Sequence, residues 1–598
     1  MDTKENNQDK FNWTNIYPKI AKKLREYKDK RKELVKFIKD NSEFFPDGIT
    51  GKNKSTNDGI TDIDPFSFFA LFNRNIKNRR EVIKAIVNFL APDEKIKDDE
   101  IDNLSFAGIP IMNNQSIMFF PKNPDDKHIE ILWDVFERSY GDLNEEFKKS
   151  FNDALKLDQV DNMLASALFW MHPDKFAPFD RNSRTYYYNF ILKQVGGFED
   201  VYIDNKKTLK NLSEIRFDEY WKIVEKIKES FKTGETLASI SHEAWDFDFI
   251  SDLFENKNII FYGAPGTGKT YKTLEAIKRL SDNDSDKFCF MQFHPSFTYE
   301  DFIDGIKPAG INEQDQLKLE IFNGKFKEFC IKVHKDNLKK LKENNKLENY
   351  YFIVDEINRG NLSTIIGETF FCLEDNYRVK YFDKDGNAYT DEQTLINGNL
   401  SSLIELQNSN LIANLKDDKK DKLAMVKTSN KILFGIPENI HFIGMMNDVD
   451  KSIDTFDLAL RRRFLWIRKE FDENVIIEQI NAKNKKNYLD RIEKLNNYIN
   501  KELGLGSSYE FGHSYFLKIE FEDGKNINKD SLSKLFDNHL KPVLKEYIRT
   551  IKDESEIDKA LEEAYKIFVV KDKKEKETNS NKPNTKKGNK LTTPEEEE

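Results

Sequence analysis

The sequence predicts an α/β fold: a parallel sheet covered by helices, preceded by a mostly helical α+β domain and followed by a disordered, charged tail. Short continuous apolar runs alternate with helical segments from residue 258 onward, which is typical of a parallel sheet buried on both faces. A Gly-rich turn joins the first of these runs to a helix. With 598 residues, the chain is too long for one core, and domain-size priors favour roughly three to five structural units.

The composition excludes several classes of protein. Charged residues make up 33% and hydrophobic residues 38%, which is typical of a globular chain with a strongly solvated surface. The net charge of −10 excludes a basic nucleic-acid coat over the whole surface but leaves room for a local basic groove. Cys289, Cys330 and Cys372 form no CxxC pair, which excludes a disulfide framework and a cysteine-rich zinc site.

The sequence shows neither a signal peptide nor a membrane segment. Residues 1–10 lack the apolar stretch of a signal peptide. No uncharged apolar run approaches the roughly 20 residues that span a bilayer. We therefore expect a cytoplasmic protein that does not enter a membrane.

Changes of composition and periodicity predict five segments. Residues 47–58 are polar and predict a linker, residues 107–121 favour strands and turns, and residues 381–430 predict an insertion or a long loop. Beyond residue 570 the chain is charged and poor in apolar residues, which predicts disorder. The predicted segments are a helical segment with a linker (1–58), an accessory domain (59–240), the core with the sheet (241–470), a helical subdomain (471–570) and the tail (571–598).

The Gly-rich turn GAPGTGKT fits the pattern G-x-x-x-x-G-K-[ST] between a predicted strand and a predicted helix, the context that a phosphate loop requires. Its glycines let backbone N–H groups converge on phosphate oxygens, and the helix N-terminus adds the positive end of its dipole. Lys269 would give a positive charge to the β- and γ-phosphates, and Thr270 a hydroxyl group to Mg²⁺. The predicted nucleotide-binding residues are Gly263, Ala264, Pro265, Gly266, Thr267, Gly268, Lys269 and Thr270.

Two further apolar runs end in polar residues. The run at 350–356 ends in Asp355 and Glu356, and the run at 441–447 ends in Asn447. Because parallel strands end at the same edge of a sheet, we expect these side chains beside the phosphate loop. Asp355 would then hold Mg²⁺ through water, Glu356 would polarise the attacking water, and Asn447 would orient that water near the γ-phosphate.

Three consecutive arginines follow a short helical turn in DLALRRRF (457–464). A guanidinium that reaches across a subunit boundary to a neighbour's γ-phosphate is an arginine finger. We expect at most two of Arg461, Arg462 and Arg463 to be catalytic.

From Ile259 to about Ile548 the sequence resembles the McrB family of AAA+ NTPases, the motor subunits of modification-dependent restriction systems. The resemblance implies an AAA+ fold with a helical lid, a hexameric ring, and hydrolysis of a nucleotide with Mg²⁺. It implies metal binding by Thr270 and Asp355, catalysis by Lys269, Glu356 and Asn447, and a trans contribution from Arg462 or Arg463. The stretches that carry it are GAPGTGKT, FHPSFTYEDFIDGIKP (293–308), VDEINRGNLSTIIGE (354–368), MMNDVDKSID (445–454), LALRRRF (458–464) and GHSYF (512–516).

The sequence departs from the family pattern beside Asn447. The family signature Asn-Thr-Ala-Asp-Arg is here Asn-Asp-Val-Asp-Lys (447–451). Lys451 lacks the planar fork of arginine and cannot donate two parallel hydrogen bonds. Named members of the family use GTP, whereas a general AAA+ motor favours ATP, and no residue distinguishes the two nucleotides.

Other polar and aromatic residues are candidates for ligand contacts. In the lid segment, His513 and Tyr515 could contact nucleotide, and His294 could contact a neighbouring subunit or DNA. The stretch 167–187 faintly resembles helix-hairpin-helix glycosylases through Asp180, but the hairpin glycines are missing from residues 157–162. The candidates for reading DNA in the accessory domain are Trp170, Phe176, Phe179, Arg181 and Arg184.

The sequence is therefore compatible with two functions. The first is a motor subunit of a restriction or anti-phage defence system, which binds double-stranded DNA and drives its translocation. Because the chain contains no convincing nuclease motif, cutting would need a separate McrC-like nuclease subunit. The second is a MoxR-like ring ATPase that remodels protein complexes and grips a protein with its N-terminal domain.

Overall fold

A computed structural model describes residues 10–44, 60–74, 78–92, 95–111, 126–157, 160–161, 163–192, 208–311, 315–344, 347–389, 391–449, 458–522, 524–549 and 551–570. The predicted linker at 47–58 and the predicted tail at 571–598 lie outside these residues, as do residues 112–121 of the stretch expected to contain strands. The described residues fall into two compact units, one formed by residues up to 481 together with 508–517 and the other by 482–507 with residues from 518 onward.

The N-terminal part of the first unit is helical. It buries large aromatic side chains, including Trp13, Trp133 and Trp170, each of which is fully shielded from solvent. The α-helices are α1 (Trp13–Leu24), α2 (Arg31–Asp40), α3 (Pro65–Ala70), α4 (Arg79–Leu90), α5 (Asp98–Asp102), α6 (Asp126–Arg138), α7 (Glu145–Ala154), α8 (Met163–Met171), α9 (Arg181–Tyr186), α10 (Leu212–Glu229), α11 (Leu237–Asp246) and α12 (Ile250–Glu255).

A five-stranded parallel sheet forms the centre of the remaining part of this unit. Its strand order is β2-β5-β8-β1-β9, and every neighbouring pair runs parallel. The strands are β1 (Asn258–Tyr262), β2 (Phe288–Gln292), β5 (Tyr350–Asp355), β8 (Ile440–Met445) and β9 (Leu465–Arg468), with a hairpin of β3 (Asp304–Ile311) and β4 (Leu317–Asn323) and a short pair of β6 (Val426–Lys427) and β7 (Ile432–Leu433) outside it.

The helices that accompany the sheet begin with α13 (Lys269–Leu280), which follows the phosphate loop directly. The others in this part are α14 (Tyr299–Phe302), α15 (Lys325–Asn344), α16 (Leu362–Ile366), α17 (Glu392–Gly398), α18 (Ser409–Ala413), α19 (Asp417–Leu423), α20 (Leu458–Arg461) and α21 (Glu473–Gln479).

The two faces of the sheet belong to different hydrophobic clusters. Side chains alternate along a strand, so Ile259 and Phe261 of β1 face one way and Ile260 faces the other. The first pair shares a continuous core with the N-terminal helices, whereas Ile260 packs with the helices on the opposite face. The helical N-terminal part is therefore built onto the sheet and contributes to its core.

The predicted α/β class is confirmed, and the structure adds two details. Four apolar runs in the sequence, at 258–262, 288–293, 350–356 and 441–447, predict four strands of the sheet, and β9 is a fifth, which pairs with β1. Residues 381–389 and 391–430, for which the sequence predicts an insertion or a long loop, form a folded segment: they contain α17, α18 and α19, and Tyr381, Leu395 and Val426 are buried in the core. Scattered apolar residues anchor this segment in the core although most of its other residues are polar.

The second unit is helical, as its sequence periodicity predicts. Tyr488 and Phe568 pack with their rings 6.2 Å apart, and the Arg491 guanidinium donates to the Phe568 carbonyl oxygen at 2.7 Å. Its α-helices are α22 (Lys485–Asn497), α24 (Lys529–Leu535), α25 (Lys541–Arg549) and α26 (Glu554–Val569), and the short α23 (His513–Phe516) belongs to the first unit. Throughout the part of the chain that the structure describes, every helix is too short or too polar to cross a bilayer.

Candidate functional site

Three strands bring polar residues to one edge of the sheet. β1 ends at Tyr262 and leads into the phosphate loop, β5 ends at Asp355, and β8 ends two residues before Asn447. Because β1 pairs with β8 and β8 pairs with β5, all in parallel, these ends lie side by side. The edge of the sheet therefore gathers residues that are almost two hundred positions apart in the sequence.

The phosphate loop adopts a backbone that only glycine accepts easily. Gly263 has φ 140° and Gly268 has φ 74°, in the region that side chains disfavour. A Cβ atom on Gly263 would lie 2.3 Å from the Lys469 carbonyl oxygen. The turn thus approaches its neighbours too closely for any larger residue, and α13 begins immediately after it at Lys269.

The Lys269 side chain lies back over the loop. Its Nζ donates to the carbonyl oxygens of Gly263 at 3.2 Å and Ala264 at 2.9 Å, and the residue is only 8% exposed. The ammonium group is therefore held at the loop, in place to meet an anion bound by the loop.

A hydroxyl group and a carboxylate meet beside Lys269. Thr270 Oγ1 donates to Asp355 Oδ2 at 3.1 Å. Mg²⁺ prefers oxygen ligands and in nucleotide sites is held by one or two protein oxygens together with phosphates and water, so this pair fits that ion. Among the described residues, no set of three or more His, Cys, Asp and Glu side chains is arranged to hold a metal without other ligands.

Glu356 is fixed by two side chains. Asn447 Nδ2 donates to its Oε1 at 3.2 Å, and Arg359 Nε donates to its Oε2 at 3.2 Å. The Glu356 backbone is strained, with φ 51°, a conformation that persists only where its surroundings hold it. The predicted pair Glu356 and Asn447 is therefore in direct contact.

Arg359 was not predicted from the sequence to belong to the site. It lies three residues after Glu356, in VDEINRG, and its side chain is 42% exposed while that of Glu356 is 15% exposed. The spacing of a short helical turn, which places residue i+3 beside residue i, was the signal that could have indicated it.

The GHSYF segment packs on the phosphate loop. The Gly512 N–H donates to the Pro265 carbonyl oxygen at 3.1 Å, and the Ser514 N–H donates to that of Gly266 at 3.0 Å. The His513 ring lies against Gly268 and is buried, and this burial lowers the pKa of His513 to about 4. His513 is therefore neutral at pH 7, and its ring packs against the phosphate loop at Gly268.

The predicted arginines lie away from the phosphate loop of the same chain. The Arg463 carbonyl oxygen accepts from Asn258 Nδ2 at 3.1 Å, and Asn258 is the first residue of β1, at the opposite end from the phosphate loop. The Arg463 side chain is 7% exposed, pairs with Glu374 at 2.7 Å and lies 4.0 Å from the Phe370 ring centroid. Arg462, which also contacts Glu374 at 3.4 Å, is 68% exposed.

Most of the candidates for reading DNA are part of the N-terminal core. Trp170, Phe176 and Phe179 are fully buried, and Arg184 is 8% exposed and donates to a backbone carbonyl. These four residues are not available to contact bases in this structure. Of this set, Arg181 alone has substantial exposure, 45%, and it pairs with acidic residues of α12.

Other sequence candidates divide between surface and scaffold. Asp180 accepts from the N–H groups of Asn182 and Ser183 and so caps α9, which accounts for its position without any catalytic role. His294 is exposed and contacts Phe297. Asp448, the departure next to Asn447, accepts from Ser508 Oγ at 2.9 Å, whereas Asp450 and Lys451 lie outside the described residues.

Comparison with known families agrees with this geometry. Residues 258–464 match the AAA domain (dynein-related subfamily), and residues 487–554 match the McrB alpha-helical lid domain. This part of the chain is McrB-like: an AAA+ NTPase core followed by the McrB lid. Residues 13–247, ahead of the McrB-like core, match a domain of unknown function (DUF8425).

Two curated relatives have restriction functions in their names. The McrB-like chain is 30% identical over 303 residues to the "Type IV methyl-directed restriction enzyme EcoKMcrB subunit" of Escherichia coli (strain K12), covering 49% of this chain and 54% of that protein. It is 25% identical over 229 residues to the "Type II restriction enzyme BsuMI component YdiS" of Bacillus subtilis (strain 168), covering 36% of this chain and 58% of that protein. The chain thus spans little more than half the length of these relatives.

A solved structure, that of a putative ATPase from Cytophaga hutchinsonii, is also similar to part of the McrB-like chain. It is 14% identical, covers 52% of this chain and 84% of its own, and has a TM-score of 0.17. Similarity at this level carries no argument about function.

Proposed function

We propose that the chain is the NTP-hydrolysing motor subunit of a McrBC-like restriction or antiviral defence system, which binds double-stranded DNA and drives its translocation for a separate McrC-like nuclease subunit. The observation that supports hydrolysis most strongly is the contact of Thr270 with Asp355 and of Asn447 with Glu356 beside one phosphate loop. The restriction function rests on the names of the relatives and on the match to the McrB lid.

The roles of the site residues follow from their positions. Residues 263–270 would bind the triphosphate of ATP or GTP, and Lys269 would exchange the carbonyl oxygens that it now contacts for phosphate oxygens. Glu356 would accept a proton from the attacking water, while Asn447 would orient that water. Mg²⁺ held with the help of Thr270 and Asp355 would neutralise charge that develops on the phosphate oxygens.

The position of the arginines favours assembly into a ring. We propose a hexamer, the form that the family adopts. Arg463 lies beside the first residue of β1, and a strand rises about 3.3 Å per residue, so the phosphate loop of the same chain is more than about 10 Å away. A guanidinium at this position is suited to a neighbour's γ-phosphate. We assign the projecting Arg462 as the finger and the shielded Arg463 as its support through Glu374.

Nucleotide hydrolysis by the full chain tests this proposal. Turnover of ATP and of GTP with Mg²⁺ should rise more steeply than linearly with protein concentration, because adjoining protomers complete each site. Lys269→Ala should abolish turnover, whereas Lys278→Ala, an exposed lysine of the same helix, should leave it unchanged. Equal turnover by the wild type and Lys269→Ala would refute the phosphate-loop assignment.

DNA binding distinguishes the motor from the MoxR-like alternative. A motor that neutralises DNA phosphates releases counterions, so its affinity for double-stranded DNA should fall steeply as salt rises. We expect the full chain to bind DNA in this way and DNA to stimulate hydrolysis. Hydrolysis that is indifferent to DNA, with binding that is absent or insensitive to salt, would favour a ring ATPase that remodels proteins.

A further inference from the structure

A cluster of charged side chains joins the N-terminal part to the helix of the phosphate loop. Lys272, in the first turn of α13, lies with its Nζ 3.1 Å from Asp246 Oδ1 and 3.4 Å from Asp472 Oδ2. Asp246 is the last residue of α11 and also lies 3.2 Å from His242 Nε2. One ammonium group therefore joins three separate segments: the end of the N-terminal part, the phosphate-loop helix and the segment that follows the sheet.

Lys272 connects this cluster to the phosphate loop. The Lys272 backbone N–H donates to the Gly268 carbonyl oxygen at 3.0 Å, which makes Lys272 part of the turn that begins α13. Lys269, three residues earlier in this turn, and the N–H groups of the same turn are the groups that would meet phosphate. A force on the Lys272 side chain therefore acts on the turn that binds the nucleotide.

A second ion pair, farther from the phosphate loop, also joins α11 and α13. Glu243 of α11 accepts from Arg279 of α13 at 2.8 Å, and Arg279 lies seven residues beyond Lys272, about two turns along the helix. Ala276 and Ile277, between these two positions, are buried in the cluster shared with the N-terminal helices. Two ion pairs thus join α11 and α13, and they differ in distance from the nucleotide site.

We propose that Lys272 is a positioning residue, which Asp246 and Asp472 hold so that the N-terminal part controls the affinity of the phosphate loop for nucleotide. This inference rests on the proposed function, because it assumes that the loop binds ATP or GTP. By thermodynamic linkage, a ligand that displaces α11 changes nucleotide affinity, and nucleotide changes the stability of α11 by the same free energy. Through this cluster, binding of a substrate to the N-terminal domain would change the affinity of the hydrolytic site for nucleotide.

Asp246→Asn compared with Glu243→Gln tests this coupling in the full chain. Both variants remove one carboxylate charge from α11, but only Asp246 contacts the first turn of α13. We expect Asp246→Asn to raise KM for the nucleotide about five- to tenfold, at the lower end of the usual range for coupling between sites, with kcat within twofold of wild type. Glu243→Gln should leave KM unchanged, and Asp246→Glu should restore part of the loss. Equal KM for Asp246→Asn and Glu243→Gln would overturn the proposal.

Hydrogen exchange measured with and without a non-hydrolysable nucleotide separates this proposal from the function on which it rests. In the wild type, nucleotide should slow exchange both in residues 263–270 and in α11, and Asp246→Asn should abolish only the change in α11. Protection of 263–270 without a change in wild-type α11 would overturn the coupling alone. No protection of 263–270 with either nucleotide would overturn the proposed hydrolytic function, and the coupling with it.

Discussion

The sheet-containing core and the N-terminal helical part give opposite results for residues singled out in the sequence. In the core, Asp355, Glu356 and Asn447 follow apolar strands and lie together at the edge of the sheet. In the N-terminal part, Trp170 and Phe176 were candidates for binding and are completely buried. Polar residues at strand ends are placed by sheet topology, whereas aromatic residues on helices are placed by packing, which a single sequence does not reveal.

The largest expected effect concerns the arginines of the core. Arg462→Ala should lower kcat by about 10³-fold or more, because a finger stabilises charge in the transition state. Steady-state hydrolysis at saturating nucleotide measures this loss. The matched control is Arg461→Ala, which removes an adjacent guanidinium that lies over Trp466, 5.3 Å from the ring centroid.

The arginine assignment also predicts complementation. If the guanidinium acts in trans, mixing Arg462→Ala with Glu356→Gln protein should restore some turnover, because a mixed ring contains sites with both intact residues. Equal losses in Arg461→Ala and Arg462→Ala, or no gain on mixing, would contradict a finger at Arg462.

Replacement of Glu356 should have the next largest effect. Glu356→Gln should lower kcat about 10²- to 10⁴-fold, the range for removal of a general base, while nucleotide binding persists. Turnover and equilibrium binding are measured on the same preparation. Glu275→Gln, on the exposed face of α13, is the control and should behave as wild type. Normal hydrolysis by Glu356→Gln would place the base elsewhere.

Substitutions in the N-terminal part should lower the free energy of unfolding instead of the rate of catalysis. Trp170 is fully buried and its Nε1 donates to the Pro110 carbonyl oxygen at 2.9 Å, so Trp170→Ala should cost about 3–5 kcal/mol of unfolding free energy. Urea unfolding measures this cost. Arg181→Ala, which removes a half-exposed ion pair, should cost no more than about 1 kcal/mol. A Trp170→Ala chain of wild-type stability with impaired DNA binding would restore Trp170 as a ligand contact.

Lowering the pH should reduce the free energy of unfolding of both regions, each by less than Trp170→Ala does. Burial lowers the pKa of His172, in the N-terminal part, and of His334, in the core, from 6.5 to about 4. Between these values the unfolded chain binds a proton that the folded chain does not, so the free energy of unfolding falls as pH decreases from 6.5 to 4. Each histidine should contribute up to about 3 kcal/mol to this fall.

Unfolding measured across this pH range checks the contribution of each histidine. His172→Gln and His334→Gln should each flatten the profile. An unchanged slope in both variants would contradict the assigned protonation states.

The sequence indicated the strands that end at the candidate site more reliably than the others. β9 was missed because its four residues are only half-buried and follow a run of arginines, so they lack the continuous apolar pattern of the inner strands. The hairpin of β3 and β4 was missed for a related reason: Pro308 and Gly310 interrupt β3, and its apolar Ile306 and Ile311 are exposed. Arg359 was missed because its role depends on where Glu356 points.

A structure of the full chain with Mg²⁺ and a non-hydrolysable analogue of ATP or GTP tests the central claim most directly. We expect the triphosphate along residues 263–270, with Lys269 Nζ moved from the carbonyl oxygens of Gly263 and Ala264 onto phosphate oxygens, and Mg²⁺ beside Thr270 and Asp355. Nucleotide bound away from this loop, or Lys269 still on those carbonyl oxygens in the bound state, would contradict it.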